Sequence, residues 1–104
     1  MEPIEFRYDT QLLLDKYVEP GEDPDDASDE LVDEIRDYII ENFKGDSMVV
    51  AGDTGEDENG EKAVVKLHYH TNEPWMVLEY CRSLGEIYDI VVEDMDRQSR
   101  GLKG

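Results

Sequence analysis

The chain has 104 residues, 28 of them acidic and 10 basic, for a formal net charge of −18 at pH 7. That length holds one domain with one modest core, and that charge argues against nucleic acid and anionic membrane surfaces as ligands, because both need clustered Lys and Arg. No apolar run nears the roughly 20 residues that span a bilayer, residues 1–10 lack a signal-peptide pattern, and one cysteine, Cys81, leaves no internal disulfide; these features predict a cytoplasmic protein without membrane insertion.

Residues 1–5 read as an N-terminal extension. In residues 6–14 (FRYDTQLLL), Phe6, Tyr8, Thr10, Leu12 and Leu14 alternate with Arg7, Asp9, Gln11 and Leu13, the pattern of a half-buried strand. Residues 15–27 carry two prolines, a glycine and a run of acids without apolar period, and are expected to be a loop. From Ser28 the spacing of Leu31, Ile35, Tyr38, Ile39 and Phe43 is that of one helix face, with Asp26 or Ser28 as N-cap and Lys44-Gly45 as the stop.

Residues 47–53 (SMVVAGD) and 63–71 (AVVKLHYHT) are rich in β-branched residues and flank an acidic connection containing Asn59-Gly60, which together predict a hairpin. A second helix opens at Pro74 with Thr71 or Asn72 as cap, carries Val77, Leu78, Cys81 and Leu84, and closes at Gly85. Residues 86–94 (EIYDIVVED) form a last strand, Tyr88, Ile90 and Val92 alternating with Asp89, Val91 and Glu93. Residues 95–104 show no pattern and read as a linker tail toward a further domain, as if the chain were one domain excised from a larger protein.

The order βαββαβ with a central hairpin is the split βαβ pattern of an α+β, ferredoxin-like sandwich, a four-stranded antiparallel sheet with two helices on one face. The other face is open, and function is sought there. If Leu67 and Tyr69 point at the helices, then Lys66, His68 and His70 point away, and Arg7 and Asp9 of the neighbouring first strand share that sense. Two imidazoles at i, i+2 with a carboxylate across the ladder make a three-ligand set for zinc or a similar divalent ion. The same groups suit proton transfer or phosphate contact. Against this stands a solvated face on which the histidines are incidental and Asp9 pairs with Lys66 or Arg7.

Other candidates carry less chemistry. Cys81 falls on the apolar stripe of the second helix and reads as a buried thiol. Trp75, at a helix start, reads as a packing or interface residue. The acidic run 22–30 lacks the residue order of a calcium loop.

From Val65 onward, the motif His68-x-His70-Thr71 with Pro74, then Val77-Leu78, Gly85-Glu86, and Glu93-Asp94-Met95 with Gln98, resembles the fatty acid kinase family, dihydroxyacetone-kinase-like multidomain proteins also labelled Dak phosphatase or DegV-linked. Residues 6–14 are similar to the strand that opens the central domain of those proteins. The resemblance implies a central domain between an ATP-binding kinase domain and a domain engaging a fatty-acid-binding, DegV-like partner. It also implies that the His-x-His pair and a first-strand cysteine are the functional residues, in catalysis or zinc binding. His68 and His70 match that pair, and Asp9 stands where the family commonly has the cysteine, which removes thiolate chemistry and leaves a harder ligand. ATP and magnesium would enter only through a separate domain, so the chain alone would transfer no phosphate.

Three readings follow. In the first, Asp9, His68 and His70 position metal, substrate or partner during acyl-phosphate formation by the neighbouring kinase domain. In the second, the domain is a structural homodimerisation module whose open sheet faces meet. Ligand binding between protomers, as a small-molecule regulatory domain, is a third, by analogy of fold.

Overall fold

The computed structural model describes residues 4–104, so residues 1–3 of the expected extension lie outside the described residues. The elements are β1 (Tyr8–Tyr17), α1 (Pro24–Asn42), β2 (Gly45–Asp57), β3 (Gly60–Thr71), α2 (Pro74–Leu84), β4 (Glu86–Asp94) and α3 (Met95–Ser99). The strands form one antiparallel sheet in the order β2-β3-β1-β4. This is the expected α+β, ferredoxin-like arrangement. α1 packs on β2 and β3, and α2 on β1 and β4.

Period-2 alternation separates the two sheet faces on the central strands. Thr10, Leu12 and Leu14 of β1 and Ala63, Val65, Leu67, Tyr69 and Thr71 of β3 are buried under the helices, while Asp9, Gln11, Leu13, His68 and His70 are only half-buried on the other side. Leu31, Ile35 and Ile39 from α1 and Val77 and Cys81 from α2 complete the core. Burial pushes the Cys81 thiol up to about 12, leaving it protonated and inert. Tyr38, expected on the buried stripe of α1, is instead 40% exposed, its ring stacked at 3.7 Å on Tyr80 of α2.

Several boundaries differ from the sequence expectation. β1 runs on to Tyr17 because Lys16 and Tyr17 pair with Ala63 and Lys62 of β3, and pairing overrides the loop signal that follows Leu14. α1 starts four residues before Ser28, with Asp23 rather than Asp26 or Ser28 as N-cap. The Asp23 carboxylate accepts the Asp25 N–H at 3.0 Å, and Pro24 occupies the first turn, where its missing N–H costs nothing. Ser28 lies buried inside the helix, against Gly52 of β2, where any side-chain carbon would strike its hydroxyl.

The central hairpin is tighter than its acidic sequence suggests. Asp57 pairs with Gly60 across Glu58 and Asn59 alone, the Asp57 carboxylate takes the Asn59 N–H at 2.8 Å, and Gly60 adopts φ 136°, which only glycine tolerates. At the start of α2 the cap position is Glu73. Thr71 still accepts the Glu73 N–H at 3.2 Å and donates to the Lys44 carbonyl at 3.0 Å. Asn72 turns outward and fastens the chain before β1, accepting from Arg7 N at 2.7 Å and donating to Glu5 O at 3.0 Å.

The last strand has the expected limits but not the expected alternation. Tyr88 pairs with Leu13 and Val91 with Gln11, so β4 spends one more residue than β1 over the same stretch. The excess sits in a bulge at Asp89, whose φ is 49°. Tyr88, Val91 and Glu93 therefore share the open face, while Val92 joins Thr10 on the helix side. Beyond it, the residues read as a patternless linker begin with α3, capped by the Asp94 carboxylate on Arg97 N at 3.1 Å.

Candidate metal centre on the open sheet face

β1 and β3 are adjacent, and their register puts Asp9 directly opposite His70 and Gln11 opposite His68. All four alternate onto the open face. The Asp9 Oδ1 atom lies 2.8 Å from His68 Nε2 and 3.8 Å from His70 Nε2, and the two Nε2 atoms are 3.2 Å apart. The structure thus brings together all three residues nominated by the sequence, each half-buried.

Two details fix how these atoms are presented. Gln11 Nε2 donates to both oxygens of the Asp9 carboxylate, Oδ2 at 3.2 Å and Oδ1 at 3.5 Å, and holds it beside the imidazoles. On the other side, His70 Nδ1 lies 3.4 Å from Oδ1 of Asp46 at the start of β2. His70 thus has a neighbour at each ring nitrogen, His68 and Asp9 at Nε2 and the Asp46 carboxylate at ion-pair distance from Nδ1. Gln11 was legible as a neighbour on the same strand face, two residues from Asp9. Asp46 carried no such signal.

The two cations proposed as partners of Asp9 do not reach it. Arg7 forks onto Asp94, with Nε 2.9 Å from both carboxylate oxygens and Nη2 2.8 Å from Oδ2. That hydrogen-bonded pairing holds the Asp94 carboxyl below its ordinary range and raises the Arg7 guanidinium. Lys66 lies on the exposed side of β3, and the ion-pair partners of Asp9 are the two imidazoles.

Three lone-pair-bearing atoms converging this closely repel unless a proton or cation lies among them. Ligand bonds of about 2.0–2.1 Å around a tetrahedral ion place ligand atoms about 3.3 Å apart. The observed separations of 2.8, 3.2 and 3.8 Å bracket that spacing. Two imidazole nitrogens and one carboxylate oxygen therefore fit one face of a small tetrahedral divalent site, the fourth vertex left for water or another ligand.

A family profile described as the FakA-like middle domain of fatty acid kinase matches residues 5–102. The chain belongs to this FakA-like middle-domain family. A search of curated proteins returns no match. The matched span takes in every element of the FakA-like domain, β1 through α3, and with them all three converging side chains.

The remaining candidates serve the fold. Trp75 meets the Tyr8 ring edge-on at 6.2 Å, beside the strand that carries Asp9. In the acidic run, Asp23 caps α1 and Asp25 and Asp26 occupy its first turn, where the helix dipole favours negative charge. Among the described residues, no helix is long and apolar enough to cross a membrane.

Proposed function

We propose that this domain binds one zinc or similar divalent ion through Asp9, His68 and His70, and uses it during acyl-phosphate formation by a fatty acid kinase. The observation that carries this reading is the convergence of Asp9 Oδ1 with both Nε2 atoms at separations that suit a single small ion. Bound there, the ion supplies a fixed positive charge that attracts or compensates a phosphate or carboxylate group.

The chain's own residues orient and hold. β1 and β3 fix the three ligands on a rigid ladder, Gln11 holds the Asp9 carboxylate beside the imidazoles, and the half-open sheet face leaves room for a group from another domain. ATP and magnesium belong to a separate ATP-binding domain of a larger cytoplasmic protein in which this domain is central, and a fatty-acid-binding, DegV-like protein presents the acyl chain. Phosphoryl transfer needs positioning and charge compensation from such a neighbour.

The test is kinase activity of the full-length protein carrying Asp9→Ala or His68→Ala, with oligomeric state measured alongside. Activity lost while oligomeric state is unchanged supports the reading. A second reading, homodimerisation through the open face, is favoured by Val49 beside His68 and Val91 beside Gln11, which are 56% and 36% exposed. It gains support if both variants keep full activity and Val49→Asp dissociates the protein.

A further inference from the structure

The β2–β3 ladder is irregular at the metal-ligand end alone. From Val49 to Asp57 every β2 residue pairs in step with β3, but His68 faces Val49 and His70 faces Asp46, so three residues of β2 are laid against two of β3. An undisturbed ladder would put Ser47 opposite His70. The extra residue instead shifts Asp46 into that place, on the same face as the two histidines.

Local conformation maintains the shift. Ser47 adopts φ 55°, a left-handed conformation that is strained for a serine. Gly45, on the other side of Asp46, passes so close to β3 that a side-chain carbon would strike the His70 carbonyl and the Tyr69 ring. A close backbone approach and a strained bulge thus flank the one residue whose carboxylate lies 3.4 Å from His70 Nδ1. Bulges re-aim side chains next to functional sites, and this one aims a carboxylate at the outer nitrogen of an imidazole.

We infer that Asp46 is a positioning residue of the metal centre, holding the His70 proton on Nδ1 so that the Nε2 lone pair faces Asp9 and His68. Metal-binding histidines need this outer partner because a neutral imidazole carries one proton, and a proton on Nε2 blocks ligation. Asp46 is not itself a ligand, since it approaches the ring nitrogen that points away from Asp9 and His68. The inference rests on the metal reading above, but its first consequence requires no metal.

The test has two readouts on the 104-residue chain. In metal-free protein at about pH 8.5, where imidazole is ordinarily neutral, long-range proton–nitrogen NMR spectra give the tautomer of His70. The wild type should show Nδ1–H, Asp46→Ala should move the population toward Nε2–H, and Asp46→Asn, which keeps an acceptor oxygen, should largely preserve Nδ1–H. Competitive titration with zinc should then show affinity reduced about 10–100-fold in Asp46→Ala, with a smaller loss in Asp46→Asn. Asp46 is exposed, so both variants should fold, and amide spectra verify this. An unchanged tautomer in Asp46→Ala overturns the inference, as does an unchanged zinc affinity where the wild type binds. If the wild type binds no zinc, the metal reading fails and the supporting role for Asp46 with it, even if the tautomer shifts as expected.

Discussion

The two ends of the open sheet face are built from the same strands and solve opposite problems. At the far end Lys62 Nζ sits 2.9 Å from Asp15 and 3.4 Å from Asp57, Tyr88 donates to Asp15 at 2.9 Å, and Tyr17 donates to Asp57 at 2.7 Å. Each carboxylate there has both a cation and a phenol, and the hydrogen bond to Asp15 raises the Lys62 ammonium well above its ordinary value. At the near end Asp9 meets two imidazoles. One network is complete within the chain, and the other, on the metal reading proposed above, would be completed by a cation. The two clusters differ in their partners: Asp15 and Asp57 share a lysine, whereas Asp9 faces two imidazoles, groups that can also ligate a metal.

The largest effect should come from a change that loosens both ends together. Leu67 is fully buried on β3 between Lys66 and His68, so Leu67→Ala should cost about 2–5 kcal/mol in urea unfolding and weaken zinc binding with it. Next, Lys62→Met should separate the ends. It leaves Asp15 and Asp57 without their cation, so thermal unfolding should occur several degrees lower while zinc affinity is unchanged; a parallel loss of zinc would break the contrast. Acid titration sharpens it further. The Tyr17 hydroxyl, with the Asn59 N–H and Lys62, holds the Asp57 carboxyl below its ordinary value. That contribution is present above the unfolded value of about 3.9 and is lost as pH falls through the lower folded one. Tyr17→Phe should therefore flatten the decline in stability below about pH 4 relative to the wild type, without affecting metal. The smallest effect is Ser47→Gly, which relieves the left-handed residue and should add up to about 1 kcal/mol while leaving the tautomer of His70 unchanged.

The sandwich was readable because its central strands alternate cleanly and its helices carry apolar stripes. Thr10, Leu12 and Leu14 oppose Asp9, Gln11 and Leu13 without interruption, and the same parity on β3 put His68 and His70 on the face shared with Asp9. What escaped was set by pairing between distant segments. Residues 15–17 look like the start of a loop and become strand because β3 offers them partners. Asp89 and Ser47 look ordinary in sequence, and only the bulges they occupy reveal which neighbours share a face. Asp46 was invisible for that reason: counting by twos from Val49 selects Ser47. The N-cap of α1 was misplaced because residues 22–30 offer many acids of equal propensity, and the choice fell to the one just before Pro24.

The most direct test of the metal centre is zinc content by elemental analysis of the chain after exposure to zinc and removal of loosely held ion, with Asp9→Ala, His68→Ala and His70→Ala beside it. Close to one zinc per wild-type chain is expected, with that zinc lost in all three folded variants. A folded wild type that retains no zinc, or variants that retain as much as it does, would contradict it.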